Sequence, residues 1–134
     1  MQTILKISEA AAIALHAADY MAGRPGLCSA QDMARDLGVS YNHLSKVLQH
    51  LTKAGLVAPV RGPKGGFTLS PSGRKAAVRT LMTAIDGPVQ LHACLMRAKV
   101  CRHRDCIFGQ FLQETNRRFE KVLDQKISEF SKRK

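Results

Sequence analysis

No apolar run in these 134 residues approaches the roughly 20 that a membrane-spanning helix requires. The opening stretch, MQTILKISEAAAIALHAADYM, is broken by Lys6, Glu9, His16 and Asp19, which excludes both a span and a secretory hydrophobic region. With no export signal, the expected compartment is the cytoplasm, and no membrane partner is expected. Internal repeats and low-complexity segments are missing too. Apolar residues at 45 % and charged residues at 23 % exclude a wholly disordered chain, and the length suits about one domain.

The most informative absence is of negative charge. Between Asp36 and Asp86 there is no acidic residue, yet Lys46, Lys53, Arg61, Lys64, Arg74, Lys75 and Arg79 all fall there. Over the whole chain 21 Lys and Arg face 10 Asp and Glu, a formal net charge of +11. An ordinary solvated surface mixes its signs. A stretch of one sign favours a polyanion, and nucleic acid in particular.

The chain organises around short helices. Apolar residues at Ile7, Ala11, Ala14, Leu15 and Ala18 predict a helix from Ile4 to Ala22, stopped by Gly23 and Pro25. Ser29 with Asp32 reads as a cap for a short helix through Met33 to Leu37, ending at Gly38. Ser40 caps the next, whose stripe is Leu44, Val47, Leu48 and Leu51 and whose stop is Gly55. Two short helices joined by a Gly-containing turn outline a helix-turn-helix. The run from Leu56 to Val60, the turn RGPKGG and the run from Phe67 to Ser70 then predict a hairpin, the wing of a winged helix. A helix over Pro71 to Ile85 is broken by Asp86-Gly87-Pro88. From Phe108 to Phe130, apolar residues at helical spacing predict one helix of about 25 residues, roughly 36 Å long. That exceeds what so small a domain covers, so its far half is expected to pack on a second copy. The tail from Ser131 to Lys134 is expected to fray. The expected fold is therefore mainly α: residues 1–86 a winged helix-turn-helix domain with a small β-hairpin wing, 87–106 a cysteine-containing sensor loop with one helical turn near Leu91 to Met96, and 107–134 a long dimerisation helix and basic tail.

Residues at the start of a recognition helix enter a major groove first. Tyr41, Asn42 and His43 are expected near base edges, Asn42 through the bidentate pairing that Asn makes with adenine, and Ser40 and Lys46 on phosphate. Gln49 and His50 are read as spectators. In the wing, Arg61 and Lys64 flank Gly62, Gly65 and Gly66, which let the backbone come close to a sugar-phosphate chain, while Phe67 is the expected anchor of the wing on the core.

Cysteine is scarce but clustered: Cys28 stands alone, whereas Cys94, Cys101 and Cys106 follow each other with gaps of six and four residues. A reducing compartment disfavours structural disulfides, so the cluster points to metal or redox chemistry. The spacing is not the paired Cys-x2-Cys of a zinc knuckle, and the segment offers no nucleophile-base-acid order for an enzyme. Arg97, Lys99, Arg102 and Arg104 would favour thiolates and offset the charge of a bound iron–sulfur cluster. His92, His103 and Asp105 are close enough in sequence to supply a fourth ligand. An alternative without iron is a disulfide between two of these thiols that switches DNA binding. Cys28 reads as a small buried apolar residue.

The run SYNHLSKVLQHLTKAGLVAPVRGPKGGFTL, followed by the Asp86-Gly87 break and the three cysteines, resembles the Rrf-two family of winged-helix transcription regulators. The likeness extends from KISEAAAIALHAADYMA to the last helix, and RGPKGGF after the AGLV helix end is its most specific part. It implies a homodimer that crosses its C-terminal helices and reads a near-palindromic operator in double-stranded DNA. It also implies a 2Fe–2S or 4Fe–4S cluster on Cys94, Cys101 and Cys106, and DNA contacts from Ser40, Tyr41, Asn42, Arg61 and the wing glycines. Cluster-binding members space their cysteines by five and five. Their histidine ligand, three after the last cysteine, falls here on Gly109, and the aspartate that others send from the partner's first helix falls near Ala12. The fourth ligand is left open among His103, His92, Asp105 and Glu9.

Overall fold

Ser8, Ser29, Ser40 and Ser70 each start a helix in the protein, whose computed structural model describes residues 7–91 and 106–132. They cap α1 (Glu9–Ala22), α2 (Ala30–Leu37), α3 (Tyr41–Lys53) and α4 (Pro71–Lys75). In each case the serine oxygen accepts the N–H three residues on at 3.0 Å, satisfying a donor that the first turn cannot pair within the helix. The hairpin strands are β1 (Val57–Val60) and β2 (Gly66–Leu69), followed by α5 (Val78–Asp86), α6 (Gly109–Leu123) and α7 (Ile127–Ser131).

Several boundaries differ from the sequence expectation. Among the described residues the first helix begins at Glu9, where Ser8 caps it, and Ile7 stands outside it and exposed; Ile4, where the helix was expected to begin, lies outside the described residues. The helix expected over Pro71 to Ile85 is two helices. Ala76 takes an extended conformation (φ −68°, ψ 142°) because its main chain bonds elsewhere: the Ile127 N–H donates to Ala76 O at 3.2 Å and the Val78 N–H to Gln125 O at 2.9 Å. Ala77 and Lys126 thus form an isolated antiparallel bridge. The same bridge interrupts the expected long C-terminal helix, which is instead α6, an elbow over residues 124–126, and α7. Local period favoured continuous helices at both places; hydrogen bonds between distant segments overrode it. The far end packs on its own chain. Leu123 and Ile127 are buried, and the Ser131 hydroxyl, expected to fray, donates to Asp19 Oδ1 on α1 at 2.7 Å.

The core forms around α1. Ala11, Ala14, Ala17 and Ala18 are fully buried, and their small side chains let α3 and α5 approach closely. The stripe Leu44, Val47, Leu48 and Leu51 of α3 is buried as its spacing predicts. At about 1.5–3 kcal/mol per large apolar side chain, this stripe fixes which face of α3 is left for solvent. Gly38, left-handed at φ 69° and ψ 31°, closes α2 and turns the chain into Ser40.

The hairpin pairs in the antiparallel register Val57↔Leu69 to Val60↔Gly66. Cys28, buried in the α1–α2 connection, adds a rung on the other side of β2. Its N–H donates to Phe67 O at 2.9 Å and its carbonyl accepts from the Phe67 N–H at 2.8 Å. Phe67 also packs against the main core. Because both main-chain groups of Phe67 face Cys28, its cross-strand partner Pro59 turns its own main chain to the outside, where a missing N–H breaks no ladder bond.

Candidate nucleic-acid interface

The capped N-terminus of α3 presents Tyr41 and Asn42 to solvent, with Tyr41 half exposed. Ser40 accepts from the His43 N–H, and its own hydroxyl hydrogen is still available for a phosphate oxygen. His43 is half-buried and lies on the flank of the helix, less open than its neighbours. Asn42, Lys46, Gln49 and Lys53, all exposed, recur at i, i+4, i+7 and i+11 and so share one face. Gln49, read from sequence as a spectator, therefore stands in line with Asn42 and Lys46. Counting helical period outward from Asn42 would have found it.

The wing tip is a tight turn. The Gly65 N–H donates to Gly62 O at 2.9 Å, with Pro63 and Lys64 as its central residues. Arg61 and Lys64 are exposed there. The wing glycines have internal reasons to be glycine. Gly62 has φ 116°, and a β-carbon on Gly65 or Gly66 would collide with the carbonyl of Val60 or Cys28 respectively.

The cations of the acid-free stretch are open to solvent with one exception. Lys46, Lys53, Arg61, Lys64, Arg74 and Lys75 are exposed, and Arg74 donates to Thr68 Oγ1 on β2 at 3.3 Å. Arg79 instead meets Glu120 at 3.0 Å and Asp124 at 3.4 Å on α6 and the elbow. On α2, Asp32 and Asp36 are engaged by Arg35, and Asp36 also accepts from the Tyr20 hydroxyl at 2.6 Å. The Tyr20 hydrogen bond, followed by Arg35, holds the Asp36 carboxyl below the usual carboxylate range.

Of the candidate ligands, Cys94, Cys101, His92, His103 and Asp105 lie outside the described residues, as does most of the helical turn expected near Leu91 to Met96. Cys106 is exposed immediately before α6, and the Phe108 N–H points at its sulfur at 3.4 Å. An exposed sulfur receiving a main-chain N–H at a helix start fits a thiolate ligand. Glu9 is exposed in the first turn of α1, beside Ser8, whose hydroxyl lies 2.8 and 2.7 Å from the two Asp86 carboxylate oxygens. Among the described residues no group of three or more His, Cys, Asp or Glu is assembled for a metal. Cys28 is buried, which pushes its thiol up from the usual range. Among the described residues no helix is long and apolar enough to cross a membrane.

Residues 7–127 match the family model Rrf2, described as "Iron-dependent Transcriptional regulator". The chain belongs to the Rrf2 family. Among Rrf2-related sequences, it is similar to the HTH-type transcriptional regulator IscR of Vibrio atlanticus, 32% identical over 93 residues, which is 69% of this chain and 54% of that protein. It is also similar to IscR of Photobacterium profundum, 35% identical over 82 residues, 61% of this chain and 44% of that protein. The chain thus spans about half the length of these curated relatives. Its fold matches that of T. potens IscR (TM-score 0.70, 24% identity, 96% of this chain and 87% of that one). The fold also matches CymR, the global cysteine regulator of B. subtilis (TM-score 0.75, 21% identity, 97% and 98%). The mainly helical chain with its two-stranded hairpin is the winged-helix fold of Rrf2 regulators.

Proposed function

We propose that this Rrf2 protein binds double-stranded DNA as a homodimer and that its clustered cysteines control the binding. The observation that carries the reading is the exposed face of α3, led by Tyr41 and Asn42, lying in a cationic stretch that contains no acid between Asp36 and Asp86. In it, α3 enters a major groove, with Tyr41, Asn42 and His43 near base edges and Ser40 and Lys46 on phosphate. Arg61, Lys64 and the turn of Gly62, Gly65 and Gly66 follow the adjacent backbone or minor groove. The second copy docks on α6, whose Phe111 and Val122 are exposed although the helix is amphipathic. Two α3 helices about 34–36 Å apart then read a near-palindromic operator.

In the fuller form of this reading, Cys94, Cys101 and Cys106 hold an iron–sulfur cluster, with His103, His92, Asp105 or Glu9 as fourth ligand. Such a cluster supplies a redox- and oxygen-labile group. The exposed Cys106 with its N–H donor supports it, and the hydrogen bonds from Ser8 to Asp86 keep Glu9 near the point where the cysteine segment departs. The exposed Cys106 thiol equally suits a second reading, in which a disulfide among these thiols is the switch. The deciding experiment is anaerobic purification with iron and sulfide analysis, followed by selection of duplexes from a random pool on the same sample. Brown protein absorbing near 400 nm and a selected inverted repeat are expected. Colourless, iron-free protein after reconstitution removes the cluster. Loss of free thiols on peroxide treatment, with a change in affinity, then favours the disulfide. No selected sequence and no salt-sensitive affinity removes DNA binding.

A further inference from the structure

Arg79 comes from the acid-free stretch, but Glu120 and Asp124 take its guanidinium. It also follows Val78, whose N–H bonds Gln125 O across the bridge between Ala77 and Lys126. Two main-chain hydrogen bonds and a two-carboxylate clamp therefore tie the α4–α5 break to the elbow after α6.

On its other side, α4 is tied just as closely to the corner where α3 ends and the wing begins. The Ser70 hydroxyl donates to Gly55 O at 2.6 Å, and the Ser70 N–H donates to Leu56 O at 3.0 Å. Gly73 packs directly on the Leu56 carbonyl, where even a β-carbon has no room. Arg74 adds a bond to Thr68 on β2. Only the five residues of α4 separate this corner from Ala76. A single helical turn anchored by hydrogen bonds at both ends leaves little chain in which a displacement could be absorbed.

We propose that the joint of residues 76–79 with 120–127 sets where the recognition helix and wing sit relative to α6, with Arg79 as a positioning residue and not a phosphate contact. The inference rests on the duplex-binding reading above and names how α6, which follows Cys106, would bear on it.

The test is sharp because two models predict opposite signs. Glu120→Gln with Asp124→Asn removes two negative charges from exposed side chains. Plain electrostatics makes that protein bind DNA more tightly. If the joint positions α3, binding weakens by about three- to five-fold, the range a partly exposed ion pair can supply. Arg79→Gln should weaken binding similarly while leaving the slope of log affinity against log salt unchanged; a phosphate contact would lower that slope by about 0.9. Val78→Pro deletes the inter-element N–H and trims a half-buried side chain, so its stability is measured beside its binding. Val78 is the first residue of α5, where proline is accepted, and Ala77 before it is already extended (φ −83°, ψ 162°). The probe is the duplex selected with wild-type protein, and circular dichroism monitors folding. Weaker binding by folded Val78→Pro supports the joint; should that variant not fold, the carboxylate pair alone decides. Equal or tighter binding by the double carboxylate variant, or a reduced salt slope for Arg79→Gln, overturns the inference. A wild type that binds no duplex overturns the underlying reading as well, an outcome distinct from variants that merely match a binding wild type.

Discussion

Gly73 sits so close to the Leu56 carbonyl that a β-carbon added to it would overlap both the oxygen and the carbon. The position is not left-handed; crowding against main chain is what demands glycine. Gly73→Ala should therefore destabilise the protein by about 1–3 kcal/mol, the usual cost of overpacking. Gly23→Ala is the control. There the nearest atom would be 3.6 Å away, an ordinary contact, and the backbone is right-handed at φ −83°. That substitution should be neutral or stabilising by up to about 1 kcal/mol. Urea denaturation of both variants checks the pair.

Acid stability should depend on Tyr20 and Asp36. The folded-state pKa of Asp36 lies below its ordinary value, so its contribution is complete above an unfolded value of about 3.9 and disappears as pH falls through the folded one. The same hydrogen bond raises Tyr20, whose contribution holds below about pH 10 and is lost as pH rises through its folded value. Tyr20→Phe should flatten the stability profile at both ends and leave its slope near neutrality unchanged. Urea midpoints measured between about pH 2 and about pH 11 read this directly. Parallel curves for variant and wild type would contradict it.

Substitutions at the proposed duplex contacts should separate into two kinds. Lys64→Ala and Arg61→Ala should weaken binding to every sequence and each lower the salt slope by about 0.9. Asn42→Ala should cost about 1–3 kcal/mol against the preferred base at one position while sparing non-specific affinity. Competition binding with selected and scrambled duplexes at two salt concentrations resolves them.

Phe111 is 52% exposed and Val122 47% exposed on α6, so each keeps a large part of its apolar surface open to solvent. Phe111→Glu or Val122→Lys should leave circular dichroism unchanged and shift sedimentation toward the monomer. Cooperative occupation of two half-sites should disappear with the dimer. A variant that still sediments as wild type would show that α6 is not the contact.

The winged helix was legible in the sequence because its signals are local. Ser29, Ser40 and Gly38 mark boundaries by capping chemistry, and the stripe from Leu44 to Leu51 states which face is buried. The two misread helices failed for the opposite reason. At Ala76 and Lys126 nothing in the local pattern forbids a helix, and the break follows from hydrogen bonds between residues about 50 apart in sequence. Charge composition groups Arg79 with the other cations of the stretch because it does not say who its neighbours are; Glu120 and Asp124 come beside it only where α6 lies against α5. Gln49 reads as a spectator when residues are weighed singly, although helical spacing aligns it with Asn42. Family likeness was readable from RGPKGGF, and the matched range of residues 7–127 now carries it.

The rung made by Cys28 has a bearing on colloidal behaviour. A two-stranded ribbon offers two unsatisfied edges to any neighbouring molecule. Here the α1–α2 connection occupies one of them through Phe67, and the other is only four residues long with proline at its third position. Among the described residues the hairpin therefore offers only short, interrupted edges to a second strand, which lowers its tendency to seed sheet-like polymers.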